Sequence, residues 1–75
     1  MVEEGRLWWL NEATGYGLIC PTDGRRDLFM CPWDVADSET RPLREGDEVS
    51  YEVAQVRNRM RPTNVSRRLH YWSKE

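Results

Sequence analysis

Two short apolar runs, residues 16–21 and 26–31, lie on either side of an Asp23-Gly24 pair in this 75-residue chain. Glycine adopts a positive φ without steric penalty, so an Asp-Gly pair between two such runs is a strong signal for a β-hairpin. Runs of about six residues suit strands, whereas stable helices are longer. This feature therefore favours an all-β fold built from short strands.

Two further segments have the composition or the alternation of strands. Residues 5–11 are rich in strand-forming side chains and end at a turn-like cluster, so they join the hairpin in a three-stranded meander. Residues 47–56 alternate with period two, which places Val49, Tyr51 and Val53 on one face. This segment is therefore predicted to be a half-buried fourth strand.

A shorter fifth strand is predicted over residues 63–69. The connection over residues 32–46 contains two prolines and has room for at most one helical turn, beginning at Pro32. Five short strands with one long connection after the third predict a five-stranded antiparallel Greek-key barrel. The oligonucleotide-binding (OB) fold is the common solution at this size.

The length of the chain limits it to one domain, residues 1–75, with a predicted barrel core over residues 5–69. Hydrophobic residues make up 39% and charged residues 32% of the chain, as in ordinary globular domains. No apolar run approaches the roughly 20 residues that cross a bilayer, and the N-terminus MVEEGR is acidic. We expect a cytoplasmic monomer without a membrane partner.

The two cysteines, Cys20 and Cys31, are predicted to be reduced. In the expected hairpin they lie about 13 Å apart, at ~3.3 Å per strand residue, whereas a disulfide requires a Cα separation of at most ~7 Å. His70 is the only histidine and has no cluster of metal-ligating neighbours in the sequence. We therefore expect neither a metal nor a cofactor.

An enzyme is a poor interpretation of this sequence. No nucleophile and base are paired, and a chain this small has no room for a deep pocket. Gly15 and Gly17 open a strand rather than a phosphate-binding helix.

The formal net charge of −2 conceals a gradient along the chain. Residues 1–56 carry five arginines and twelve carboxylates, a balance of −7, whereas residues 57–75 carry a balance of +5. Arginine supplies ten of the eleven cations, and its planar fork suits phosphate and stacks on bases. The alternative is that the basic segment is simply a solvated strand and tail.

Six short motifs follow one another in order along residues 5–69: G-R-L-W-W-L-N (5–11), T-G-Y-G-L-I (14–19), D-G (23–24), D-L-F-M-C (27–31), L-R-E-G (43–46) and N-V (64–65). Together they resemble the cold-shock domain family. The corresponding family patterns are G-x-V-K-W-F-N, K-G-Y/F-G-F-I, D-G, D-V-F-V-H, L-x-E-G and N-V. The resemblance implies a barrel of cold-shock type.

The resemblance also implies binding of single-stranded RNA or DNA on the open face of the first three strands, where aromatic rings stack on bases. The retained rings are Trp9, Tyr16 and Phe29. Stacking contributes roughly 1–3 kcal/mol per base with little demand on sequence, and strand alternation would turn Tyr16 and Phe29 toward solvent. The glycines beside Tyr16 would leave room for a stacked base or for a tight bend in the barrel.

Several family positions are changed. Where the family has lysine, aromatic rings or histidine, the chain has Thr14, Leu10, Leu18, Cys31, Pro32 and, near the position of a further loop aromatic, Thr40. Leu18 and Cys31 stay among the candidate contacts, but each lost ring could remove ~1 kcal/mol or more per base. Trp8 and Trp33 either supply new stacking surfaces or lie flat over the edge of the barrel, and core packing is the alternative for every ring.

Polar candidates accompany the rings. Three arginines alternate and would point to one side if the fourth strand continued through them: Arg57, Arg59 and Arg61. They either form a ladder for phosphates or a solvated edge that discourages aggregation. The arginines at residues 25–26 could reach a strand that leaves the rings. Asn11 and Asp27 either hydrogen-bond base edges or hold their own turns.

The sequence thus predicts a binder of single-stranded nucleic acid with low sequence selectivity that acts as an RNA chaperone or as a regulator of transcription or translation. The alternative is a protein-interaction module that keeps the barrel and binds a protein partner through an apolar patch. The patch would consist of Trp8, Leu10, Leu18, Met30 and Trp33.

Overall fold

A computed structural model of the protein describes residues 2–37, 39 and 41–68. In chain order its elements are β1 (Val2–Leu10), β2 (Gly17–Pro21), β3 (Leu28–Met30), a 3-10 turn (Pro32–Asp34), β4 (Glu48–Val56) and β5 (Arg59–Arg67). The sheet order is β3-β2-β1-β4-β5, and every neighbouring pair is antiparallel. No helix that could span a lipid bilayer occurs among the described residues.

The sheet curls until its two edge strands meet. Beyond β3, the segment after the 3-10 turn reaches β5, where Val35 bridges Val65 and the Ala36 N–H donates to the Val65 carbonyl at 2.7 Å. The result is a nearly closed barrel, which confirms the all-β, five-stranded antiparallel Greek-key fold of OB and cold-shock type that the sequence predicts.

Seven side chains fill the barrel: Leu7, Ile19, Met30, Leu43, Val49, Tyr51 and Val65. The alternation of β4 places Val49 and Tyr51 inside as predicted, with Val53 half-buried against them. Met30 is a core residue, and Leu10 packs against the core. The apolar surface patch suggested for a protein partner is therefore wrong in including Met30, and it is smaller than expected.

The last two strands differ from the prediction. β4 ends at Val56, and a two-residue loop, Arg57-Asn58, leads into β5, which begins at Arg59 rather than at residue 63. Arg57 has a φ of 59° there, a conformation that usually calls for glycine, so the sequence lacks the usual turn signal. Pro62 lies within β5, which tolerates proline because it is an edge strand.

Other boundaries shift by a few residues. β1 begins earlier than predicted, at Val2, whereas β3 is limited to Leu28–Met30. The predicted end of the fifth strand at Leu69, the lone His70 and the loop position Thr40 lie outside the described residues.

Candidate nucleic-acid interface

A β-bulge in β1 leaves two successive tryptophans facing outward. Leu7 pairs with Ile19, but the next pair joins Trp9 to Leu18, so that Trp8 and Trp9 together oppose one residue of β2. Without the extra residue, Trp9 would share the inward face of Leu7, since strand side chains alternate. Instead the indoles of Trp8 and Trp9 are 49% and 38% exposed.

The bulge also aligns side chains across three strands. Leu18 pairs with Trp9 on one side and with Phe29 on the other. Beside this row, Tyr16 stacks on Phe29 with ring centroids 5.5 Å apart, and Trp33 meets Tyr16 edge-on at 6.1 Å. We call the set Trp9, Tyr16, Leu18, Phe29 and Trp33 the aromatic face.

Exposure varies across the aromatic face. Phe29 is 53% and Trp33 67% exposed, so neither ring serves the core. Tyr16 is half-buried, because its ring contacts both Phe29 and Trp33, and it is less exposed than the sequence predicts. Tyr16 therefore supports the two more exposed rings and presents less surface of its own.

Trp8 lies outside the aromatic face. Its indole N–H donates to an Asp27 carboxylate oxygen at 3.0 Å, and the two residues line a separate groove with Arg6 and Cys20. The partner of Asp27 is thus a tryptophan side chain, which the sequence does not suggest. The Asn11 side-chain oxygen accepts the N–H groups of the next turn, at 3.0 and 3.3 Å, so Asn11 holds its own turn.

The glycines on either side of Tyr16 are required by close packing within the fold. A Cβ on Gly15 would lie 2.8 Å from the Cβ of Pro32, and one on Gly17 would lie 2.8 Å from the Trp9 carbonyl oxygen. The space that these glycines leave is therefore filled by the 3-10 turn and by β1. This close approach fits the tight bend in the barrel, which is one of the two reasons that the sequence suggests for these glycines.

Most of the arginines between residues 57 and 68 are paired with carboxylates of the fold. Of the five arginines between residues 57 and 68, three are held by carboxylates: Arg61 by Asp34 at 2.7 Å, Arg67 by Glu39 at 2.9 Å and Asp47 at 3.1 Å, and Arg68 by Glu4 at 3.4 Å and Glu48 at 3.6 Å. Arg67 is thereby largely withdrawn from the solvated basic segment that the charge gradient suggests, whereas Arg68 stays exposed.

Arg57 and Arg59 are different, because neither has a carboxylate partner within the described part of the chain. Their side chains line a groove of about 440 Å³ together with Phe29, Cys31 and Met60. Two cations thus lie directly beside the aromatic face. They do so from the turn and from β5, rather than from a continued fourth strand.

Both cysteines are free thiols, but their surroundings differ. Cys20 is exposed, whereas Cys31 is half-buried, and burial together with the nearby Asp34 carboxylate raises the pKa of the Cys31 thiol against the opposing effect of Arg61. Within the described ranges, no three His, Cys, Asp or Glu side chains come together as metal ligands would.

Comparison with known proteins gives one consistent result. The family model described as the 'Cold-shock' DNA-binding domain matches residues 3–68. The cold shock-like protein CspC of Buchnera aphidicola is 34% identical over 50 residues, which cover 67% of this chain and 72% of the relative. The probable cold shock protein A of Mycolicibacterium smegmatis is 36% identical over 52 residues, which cover 69% of this chain and 78% of the relative.

Proposed function

Because the chain belongs to the cold-shock domain family, whose model describes a DNA-binding domain, we propose that it binds single-stranded RNA or DNA by stacking bases on the aromatic face. The protein acts as a monomer in the cytoplasm, with low sequence selectivity. It serves as an RNA chaperone or as a regulator of transcription or translation.

The observation that carries the proposal is the exposure of large rings on one side of the barrel. Trp9, Phe29 and Trp33 each leave more than a third of their surface in water. Contiguous exposed apolar surface on a small domain commonly marks a binding site. Unpaired bases present π-faces of matching size, and each stacked base contributes roughly 1–3 kcal/mol.

The charges beside the aromatic face suit a phosphate backbone but are few. Arg57 and Arg59 are available, and Arg26 at the tip of the β2–β3 hairpin also lacks a carboxylate partner among the described residues. Each phosphate contact to a single strand adds about −0.7 to the slope of log K against log salt. Stacking therefore supplies most of the affinity, and two to three contacts predict a slope of about −1.4 to −2.1.

The first test is a titration of the intact protein with heptathymidine and with a mixed-sequence RNA of the same length. We expect quenching of tryptophan fluorescence that weakens with salt along the slope given above. Anisotropy of a labelled oligonucleotide should show that Trp9→Ala lowers the affinity about tenfold or more, because one stacking surface is lost.

Val2→Ala is a suitable control for that variant, because Val2 is also exposed and lies at the far end of β1 from Trp9. It should bind as the unchanged protein does. If neither oligonucleotide alters fluorescence or anisotropy at any salt concentration, the proposed function is wrong and a protein partner becomes the better explanation.

A second test uses the cysteines as local reporters of the bound strand. Cys31 lines the groove beside Phe29, so a bound oligonucleotide should slow its alkylation in a Cys20→Ser variant. Its raised pKa keeps the free reaction slow at neutral pH, since the thiolate is the reactive form. The rate is measured by mass spectrometry.

The reciprocal Cys31→Ser variant reports on the other groove, because Cys20 lies beside Trp8. Unchanged labelling of Cys20 is expected if the strand keeps to the aromatic face. Protection of Cys20 without protection of Cys31 would place the strand over Trp8 and contradict the proposed path.

A further inference from the structure

Trp33 is the most exposed ring of the aromatic face, and it stands on a single 3-10 turn. A turn of three residues has little stability of its own, because it contains too few hydrogen bonds to fix its position. The orientation of the Trp33 indole must therefore be set by what the turn is attached to.

The attachment is a buried carboxylate. Asp34 directly follows Trp33 and is only 5% exposed. One of its oxygens accepts the Cys31 N–H at 2.8 Å, which closes the turn on the other side of Trp33, and its second oxygen accepts from the Arg61 guanidinium at 2.7 Å. The turn that carries Trp33 is thus fastened to β5 by this ion pair, in addition to the hydrogen bond from Ala36 to Val65 that follows the turn.

Arg61 is committed to this contact. The hydrogen bond that Arg61 donates to Asp34 raises the pKa of the Arg61 guanidinium, and the carboxylate that accepts it is itself removed from water. A charge-assisted bond of this kind is stronger than an exposed ion pair, and its loss would leave a buried charge without a partner. The contact holds the Nη2 atom of Arg61 on Asp34, although the side chain is still 36% exposed and lines the groove beside Phe29.

We propose that Arg61 is a positioning residue: through Asp34 it holds Trp33 against Tyr16 and so completes the aromatic face, rather than contacting the phosphates of the bound strand. This inference rests on the proposed function. It separates Arg61 from Arg59, which lies two residues earlier on the same strand and on the same face but lacks a carboxylate partner in the described structure.

The matched pair Arg61→Gln and Arg59→Gln tests the assignment, each alone and combined with Trp33→Ala. We expect Arg61→Gln to lower oligonucleotide affinity roughly tenfold, as Trp33→Ala does, with the salt slope unchanged. The two together should be no worse than Trp33→Ala alone. Arg59→Gln should reduce the steepness of the slope by about 0.7, and its effect should multiply with that of Trp33→Ala.

A loss of about 0.7 in slope for Arg61→Gln, multiplying with Trp33→Ala, would overturn the proposal and make Arg61 a phosphate contact. Unchanged affinity for Arg61→Gln would overturn it as well. Arg61→Lys loses the planar fork but keeps the positive charge beside Asp34. It should therefore retain much of the oligonucleotide affinity that Arg61→Gln loses. If Arg61→Gln does not fold, the double variant Asp34→Asn, Arg61→Gln takes its place in these measurements. It removes both charges, so no unpaired charge stays buried.

A readout without any ligand separates this inference from the proposed function. The indole N–H resonance of Trp33, assigned by its disappearance in Trp33→Ala, should shift in Arg61→Gln and stay in place in Arg59→Gln. If the unchanged protein fails to bind oligonucleotides, the function is wrong but this test still applies. An unmoved Trp33 resonance in folded Arg61→Gln overturns the positioning role.

Discussion

Replacing Tyr16 by alanine should lower the affinity for heptathymidine about a hundredfold, more than the removal of any other single ring. Tyr16 contacts both Phe29 and Trp33, at 5.5 and 6.1 Å between ring centroids. An aromatic pair contributes about 0.5–1.5 kcal/mol beyond its buried area, so the loss of Tyr16 frees two neighbours as well as removing its own surface. A hundredfold loss corresponds to about 2.7 kcal/mol.

Phe29→Ala provides the comparison, since Phe29 is an exposed ring with Tyr16 as its ring neighbour. We expect about a tenfold loss for this variant, from one stacking surface. Tyr16→Phe keeps the ring and should bind as the unchanged protein does. Both are measured by anisotropy, with circular dichroism as the check on folding. Equal losses for Tyr16→Ala and Phe29→Ala would contradict a supporting role for Tyr16.

The barrel is predictable from the sequence because its signals are local. The Asp23-Gly24 pair specifies one hairpin, and the alternation of residues 47–56 specifies the inward face of β4. The long connection with Pro32 accommodates the single 3-10 turn, as its composition predicts. In each case, a few neighbouring residues contain the information that decides the structure.

The outward turn of Trp9 is different, because strict alternation from the buried Leu7 places it inside. Only the bulge at Trp8 reverses this orientation, and a bulge depends on the register between two strands. The family motif gave the correct side for this residue, but no physical pattern within residues 5–11 does. A ring that faces solvent in an otherwise strand-like run is thus a reason to look for an extra residue.

Which arginines are free to contact phosphates could not be predicted from the sequence, for a related reason. The sequence does not distinguish the arginines of residues 57–68 from one another. In the structure, Arg61 and Arg67 are paired with carboxylates that lie 27 and 28 residues earlier. Pairs at such separation form only once the barrel closes. The structure therefore leaves Arg57 and Arg59 beside the aromatic face, and it predicts weaker salt dependence than the charge gradient suggests.

The second large effect is expected at Gly15, whose turn packs against Pro32 beside the aromatic face. Gly15→Ala should lower the free energy of unfolding by about 2–5 kcal/mol, whereas Gly24→Ala should cost only about 1–2 kcal/mol. Both glycines have a positive φ, 88° and 85°, so both variants bear the same backbone strain. They differ in their surroundings, because a Cβ at Gly24 meets no atom within 4 Å, whereas one at Gly15 lies 2.8 Å from Pro32.

Pro32 begins the turn that carries Trp33, so the crowding in Gly15→Ala should also reach the binding surface. We expect Gly15→Ala to weaken heptathymidine binding under conditions where the variant is fully folded, and Gly24→Ala to leave it unchanged. Urea unfolding gives the stabilities, and anisotropy gives the affinities. Equal losses of stability in the two variants would show that the contact with Pro32 relaxes freely, in which case the Gly15 turn does not help to fix Trp33.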